Sequence, residues 1–249
     1  MKRKANLRLH SIAVICIITL FWCPTAALSA LFWSIDIEVI GGQNGSSVGS
    51  VSIYPEISWD ELAANPQKTY TWQMEQPLEI AAENNQDNIL ATVENITVAA
   101  QGDPSISLGF SVTAGQYASS FSFASPVMNF APISNTEAYA EATISPTSGT
   151  TVWGSYPGQK PFQALYNGST NFAYLIASPI TWPVGAEMTG PTALPGSISS
   201  MQSTWQFIVS AQGMASGTSF YEIEPVPEPA TIALLGMGGL FLLRRRKRK

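Results

Sequence analysis

The residues of this chain best placed to do chemistry are carboxylates. Asp60, Glu61, Glu137, Glu141 and Glu187 could supply the acid and base of a glycosidase, which needs two carboxyl groups at a set separation. No spacing among them selects a pair, and dispersed acidic residues also serve as a solubilising surface. Ser155 and Lys160 lie five apart in a Pro- and Gly-rich loop, a spacing that chance also produces. The run from Glu83 to Asn88 could offer oxygen ligands to calcium, but it lacks the glycine and terminal glutamate of an EF-hand loop and reads as a solvated turn. Aromatic rings on a surface can stack on sugars. Trp153, Trp182, Tyr156 and Tyr166 lie in stretches rich in Gly and Pro and are the candidates for carbohydrate contact, whereas Trp72 and Trp205 sit within apolar alternation and read as core. Asn44, Asn95 and Asn167 fit the acceptor pattern for glycosylation.

Other chemistries are removed by where the remaining groups fall. The one histidine, His10, and both cysteines, Cys16 and Cys23, lie near the N-terminus, and residues 31–224 contain no His, Cys or Arg. That stretch therefore has no Ser-His-Asp or Cys-His nucleophile, no histidine or thiolate metal site and no disulfide. No metal and no cofactor is expected. The same stretch holds only two basic residues, Lys68 and Lys160, against sixteen acidic ones, a formal charge of −14. Nucleic-acid binding relies on Lys and Arg to neutralise phosphates, so this surface excludes it.

The elements that would position these groups follow a period of two. Ile35, Ile37 and Val39 alternate with Ser34, Asp36 and Glu38, and Tyr70, Trp72 and Met74 alternate with polar neighbours. Ile106, Leu108, Phe110 and Val112 alternate with Ser105, Ser107, Gly109 and Ser111; Phe121 with Phe123, and Trp205 with Phe207 and Val209, repeat the pattern. Such alternation is that of half-buried antiparallel strands. Breaks are expected at Gly41, Asn65, Gly102, Ser145, Gly154–Gly158 and Gly190–Gly196. Many short strands separated by Gly and Pro predict a mainly β body, a single β-sandwich or jelly-roll spanning residues 31–224. A short helix is predicted over Ser58–Ala64, where Ser58 and Glu61 have capping-box spacing. Asn135–Ala142 is compatible with helix or strand.

Both ends read as addresses. Residues 1–30 join a basic segment, the apolar run Ile12–Trp22 and small residues, which is the pattern of a secretory signal peptide. Residues 225–249 join a Pro-rich stalk, the apolar stretch Ala230–Leu243 and six basic residues, Arg244, Arg245, Arg246, Lys247, Arg248 and Lys249. The apolar stretch is expected as a single transmembrane helix, and the basic end as a membrane stop held on the cytoplasmic side. Fourteen residues make a helix about 21 Å long, short of a ~30 Å hydrocarbon core, and Gly236, Gly238 and Gly239 weaken it. Such an anchor suits a transient hold.

Val226-Pro227-Glu228-Pro229-Ala230, the apolar stretch and the basic end, in that order, resemble a PEP-CTERM sorting signal. The resemblance implies recognition of Pro227, Glu228 and Pro229 by a membrane exosortase, removal of the helix near Glu228-Pro229, and a setting of exopolysaccharide, biofilm or floc. The expectation is an exported, non-catalytic surface or matrix protein. The alternative is an extracellular carbohydrate-active enzyme or carbohydrate-binding module on the same β body.

Overall fold

The computed structural model describes residues 35–226, apart from 43–45, 56–61 and 63. Fourteen strands run through them: β1 Ile35–Gly41, β2 Ser47–Ile53, β3 Thr69–Gln73, β4 Leu78–Ala82, β5 Asn85–Gln101, β6 Ser105–Ala114, β7 Ser119–Ala124, β8 Met128–Pro146, β9 Thr151–Gly154, β10 Phe162–Tyr166, β11 Thr170–Leu175, β12 Ile180–Thr181, β13 Gly185–Val209 and β14 Met214–Pro225. All belong to one hydrogen-bonded sheet whose main path is β2-β1-β7-β13-β8-β14-β6-β5-β3. Most of the helix expected at Ser58–Ala64 lies outside the described residues.

A long two-stranded ribbon organises the sheet. β7 and β8 follow one another along a single edge of β13, from Ser119 opposite Val209 to Ile144 opposite Gly185. The other edge of the C-terminal half of β13 pairs with β10 and β9. The far edge of β8 pairs with β14, which pairs with β6 and through it with β5. The ribbon is interrupted at Ser125, between β7 and β8. There the Ser203 N–H donates to Ser125 Oγ at 3.0 Å, the Ser125 N–H to the Ser203 carbonyl at 2.8 Å, and Gln202 Nε2 to the Ser125 carbonyl at 2.7 Å. These bonds satisfy the backbone groups where one strand gives way to the next.

The sheet curls so that β6 packs against β7 and β13. The Phe110 ring stacks on Phe123 at 5.0 Å and on Phe207 at 5.2 Å, and meets Trp205 edge-on at 5.1 Å. Offset and T-shaped contacts of this kind are the favoured aromatic geometries. Gly217 stands opposite Phe110 in the register, and a Cβ there would come within 2.4 Å of the ring. The buried indole of Trp205 donates to Ser219 Oγ on β14 at 3.1 Å, so burial leaves no unpaired N–H.

Two expectations change, and one left open is resolved. Asn135–Ala142 is strand, the middle of β8, because its alternating Ala138, Ala140 and Ala142 are fully buried. The Gly190–Gly196 stretch does not break the chain; β13 runs through it with register shifts between Thr189 and Thr192 and between Leu194 and Ser197. Gly190 at φ +99° and Gly196 at φ +80° absorb those bulges. Pro225, assigned to the stalk, ends β14 opposite Thr136. On its other side β6 has already ended at Ser105, so the missing N–H of Pro225 faces a free edge.

Phe110→Ala removes the ring on which the curl closes. The expected loss is about 3–5 kcal/mol, measured as a lower urea midpoint with Trp205 fluorescence as the probe.

Candidate functional site

The outer face of the β2-β1-β7-β13-β9 region carries an apolar row. Register places Val48, Ile40, Ser120, Ile208 and Trp153 side by side across five strands. Its four hydrophobic members are each exposed by about two-fifths, from 36% at Ile208 to 40% at Val48. Trp153, expected in a loop, belongs to β9 and points outward because its neighbour Val152 points into the core. Gly154 is required after it, since a Cβ there would strike the Lys160–Pro161 backbone at 2.2 Å.

Two residue pairs further along the strands, the same face turns polar. Thr204 on β13 lies beside Gln163 on β10, which lies beside Tyr174 on β11. The Tyr156 hydroxyl donates to Thr204 Oγ1 at 2.8 Å, and Gln163 Nε2 donates to the Tyr174 hydroxyl at 3.3 Å. The two tyrosine rings are 6.0 Å apart. Burial raises the Tyr156 phenol above its ordinary value, against the opposing effect of the Thr204 hydrogen bond. Tyr174 was not among the sequence candidates; its parity with inward-facing Ala173 and Leu175 would have revealed it.

The four predicted contact residues therefore divide. Trp153 is partly exposed, Trp182 is 65% exposed in the turn after β12, and Tyr156 is half-buried. Tyr166 is a correction. It ends β10 in phase with buried Phe162 and Ala164, is itself only 8% exposed, and has no surface to offer a glycan.

Among the described residues, the predicted carboxylates Glu141 and Glu187 do not face one another. Glu141 is opposite Met188, and Glu187 is opposite Ala142, so adjacent register positions send the two side chains to opposite faces. Glu187 Oε2 instead accepts from Lys160 Nζ at 2.8 Å and from the Ile176 N–H at 2.6 Å. Lys160 Nζ is thus engaged by Glu187 rather than by Ser155. Asp60 and Glu61 lie outside the described residues. The Glu83–Asn88 run is the β4–β5 hairpin, where Asn85 Oδ1 accepts from the Asp87 N–H and Glu83 Oε1 from Ser50 Oγ. Among the described residues, no group of three His, Cys, Asp or Glu is placed to hold a metal ion. Of the glycosylation candidates, Asn167 has its side chain engaged with Ser197 and Ser199, and Asn95 accepts from Gln73.

A second outer face, on β5, β6, β14 and β8, is hydroxylated. A shallow groove of about 300 Å³ lies over Gly109, lined by Thr97, Ser111, Thr143, Ser216 and Thr218 with Asn95. Thr143 and Thr218 hydroxyls pair at 2.8 Å, and Ser216 donates to Ser111 at 3.0 Å. No carboxylate lines this groove.

At the end of β14 the face becomes acidic. Glu224 is directly opposite Glu137 on β8, and Glu222 is opposite Tyr139. Burial raises the Glu222 carboxyl above its ordinary value, with smaller contributions from Glu224 and Asp103. One residue past the strand, the Val226 N–H donates to the Asn135 carbonyl at 2.8 Å, and Asn135 Nδ2 donates to the Val226 carbonyl at 3.0 Å. Asn135 sits at φ +54°, a left-handed conformation that Asn tolerates better than most residues.

Residues 225–248 match the PEP-CTERM protein-sorting motif. The chain therefore carries the signal that an exosortase recognises, which makes it an exported protein sorted at the membrane toward the cell surface. Pro227, Glu228 and Pro229, the helix expected over Ala230–Leu243 and the basic end Arg244–Lys249 all fall within or beside that match and lie outside the described residues, as do residues 1–30. No helix among the described residues is long and apolar enough to cross a membrane. No curated protein matches the chain.

Glu222→Gln tests the acidic strand end. A carboxyl raised in the folded state disfavours folding at neutral pH, and that cost fades as pH falls through the folded pKa toward the ordinary value of 4.5. Thermal unfolding of the purified body should show the wild type gaining stability, relative to E222Q, as pH drops through that window.

Proposed function

We propose that this chain is a non-catalytic cell-surface or extracellular-matrix protein, held briefly by the helix at Ala230–Leu243 and then released by exosortase processing into an exopolysaccharide or biofilm setting. One observation carries this reading: the last strand of the chain, β14, runs directly into the sorting motif. The whole described body is thus cargo delivered by the tail. We read the curled sheet as a sandwich-like scaffold that presents two broad outer faces, one aromatic and one hydroxylated.

A second reading, contact with carbohydrate, is favoured by the exposed rings of Trp153 and Trp182 and by the Tyr156–Tyr174 pair beside Gln163 and Thr204. Rings with adjacent amides and hydroxyls suit the mixed apolar and polar faces of a sugar. The split of Glu141 and Glu187 to opposite faces supports binding over hydrolysis.

Two measurements test these readings. The intact mass of the surface form should end near residues 226–230, and Glu228→Gln should leave the tail attached; a surface form still carrying Arg244–Lys249 counts against the processing. Cosedimentation with the host's own polysaccharide should weaken several-fold in a Trp153→Ala, Tyr174→Ala variant that keeps its unfolding midpoint, and equal binding would remove the carbohydrate reading.

A further inference from the structure

The sorting motif begins with no spacer after the folded body. Val226 is hydrogen-bonded to β8 through Asn135, and Pro227 is the next residue in the chain. An enzyme that cleaves a peptide reads it as an extended segment, with the backbone on both sides of the cut free to pair with the enzyme. Residues 224–226 are already paired with β8 and so are withheld from such a reader.

This end of the sheet is weakly held except at one point. β6 stops opposite Glu222, leaving the outer edge of β14 bare beyond the bond from the Ile223 N–H to the Pro104 carbonyl. Thr136 Oγ1, opposite Pro225, is buried with no hydrogen-bond partner. Glu224 and Glu137, like charges in directly opposed positions, repel. Beyond them the Asn135 clasp, with one backbone and one side-chain bond, is the last fixed point before the motif.

We infer that Asn135 is a positioning residue for the processing reaction: it latches the end of β14 to β8, and release of residues 224–226 from that latch governs how fast the sorting motif is cut. The inference rests on the exosortase reading above. The opposed glutamates keep the latch releasable, because they weaken the pairing that the clasp must hold.

The test uses the full chain in its own host, with tail removal followed by pulse labelling and intact mass. Asn135→Gly keeps the left-handed backbone and removes the amide, so processing should quicken by about tenfold, the equivalent of one lost bond of about 1.4 kcal/mol. A Glu137→Cys, Glu224→Cys pair sits at Cα separations typical of a disulfide, about 4.5–5.5 Å for directly opposed residues. Once oxidised it should block processing, and a pulse of reductant should restore it. Cutting of the cross-linked chain at the wild-type rate, a block that survives reduction, or an unchanged rate in N135G overturns the latch. Glu228→Gln separates the two ideas. If E228Q stays uncut while the cross-linked chain is cut normally, the latch fails and the sorting reading stands. If E228Q is cut like the wild type, the sorting reading itself fails.

Discussion

Everything in this fold depends on one sheet being able to close on itself. The described body has no cysteine to cross-link, so its stability rests on burial and hydrogen bonding. Phe110 makes closure favourable by meeting Phe123, Phe207 and Trp205 at once. Those contacts join β6 to β7 and β13, strands that lie on either side of β8 and β14 along the hydrogen-bonded path. The aromatic cluster therefore acts as a clasp across the curl, and the positions of both outer faces follow from it.

Period-two alternation made the strands legible, because most inward residues at β1, β6, β7 and the end of β13 are large and apolar. Parity errors arose where strands are short. Tyr166 lies among Gly and Asn and looks like loop, yet two preceding inward residues fix its direction. Gly190 and Gly196 carried the opposite fault. Glycine ordinarily punctuates a sheet, but here a 25-residue strand uses it to form bulges and continue. Local signals do not distinguish a bulge from a break; only the pairing of β13 with β8 over its whole length does.

The sorting tail was legible for a different reason. Its parts are read by machinery as linear sequence, so no tertiary context is needed to recognise them. The join between tail and body was not legible in the same way. Pro225 looks like the first residue of a stalk, and only the loss of β6 as a neighbour shows how a proline can close a strand there. Glu222 and Glu224 likewise read as ordinary surface acids until register sets Glu224 against Glu137.

Charge narrows what the outer faces can engage. Lys160 is held by Glu187, and Lys68 lies 4.4 Å above the Tyr70 ring, so both cations of residues 31–224 are engaged. Attraction of a polyanion needs clustered free cations, and sixteen acidic residues on the same stretch add repulsion. The groups these faces offer a partner are ring faces, amides and hydroxyls, whose contacts are short-ranged and insensitive to salt. The two faces differ in which of these they offer: Trp153, Tyr156 and Tyr174 on one, paired Ser and Thr hydroxyls on the other. The body thus offers two exposed faces of different chemistry to neutral partners.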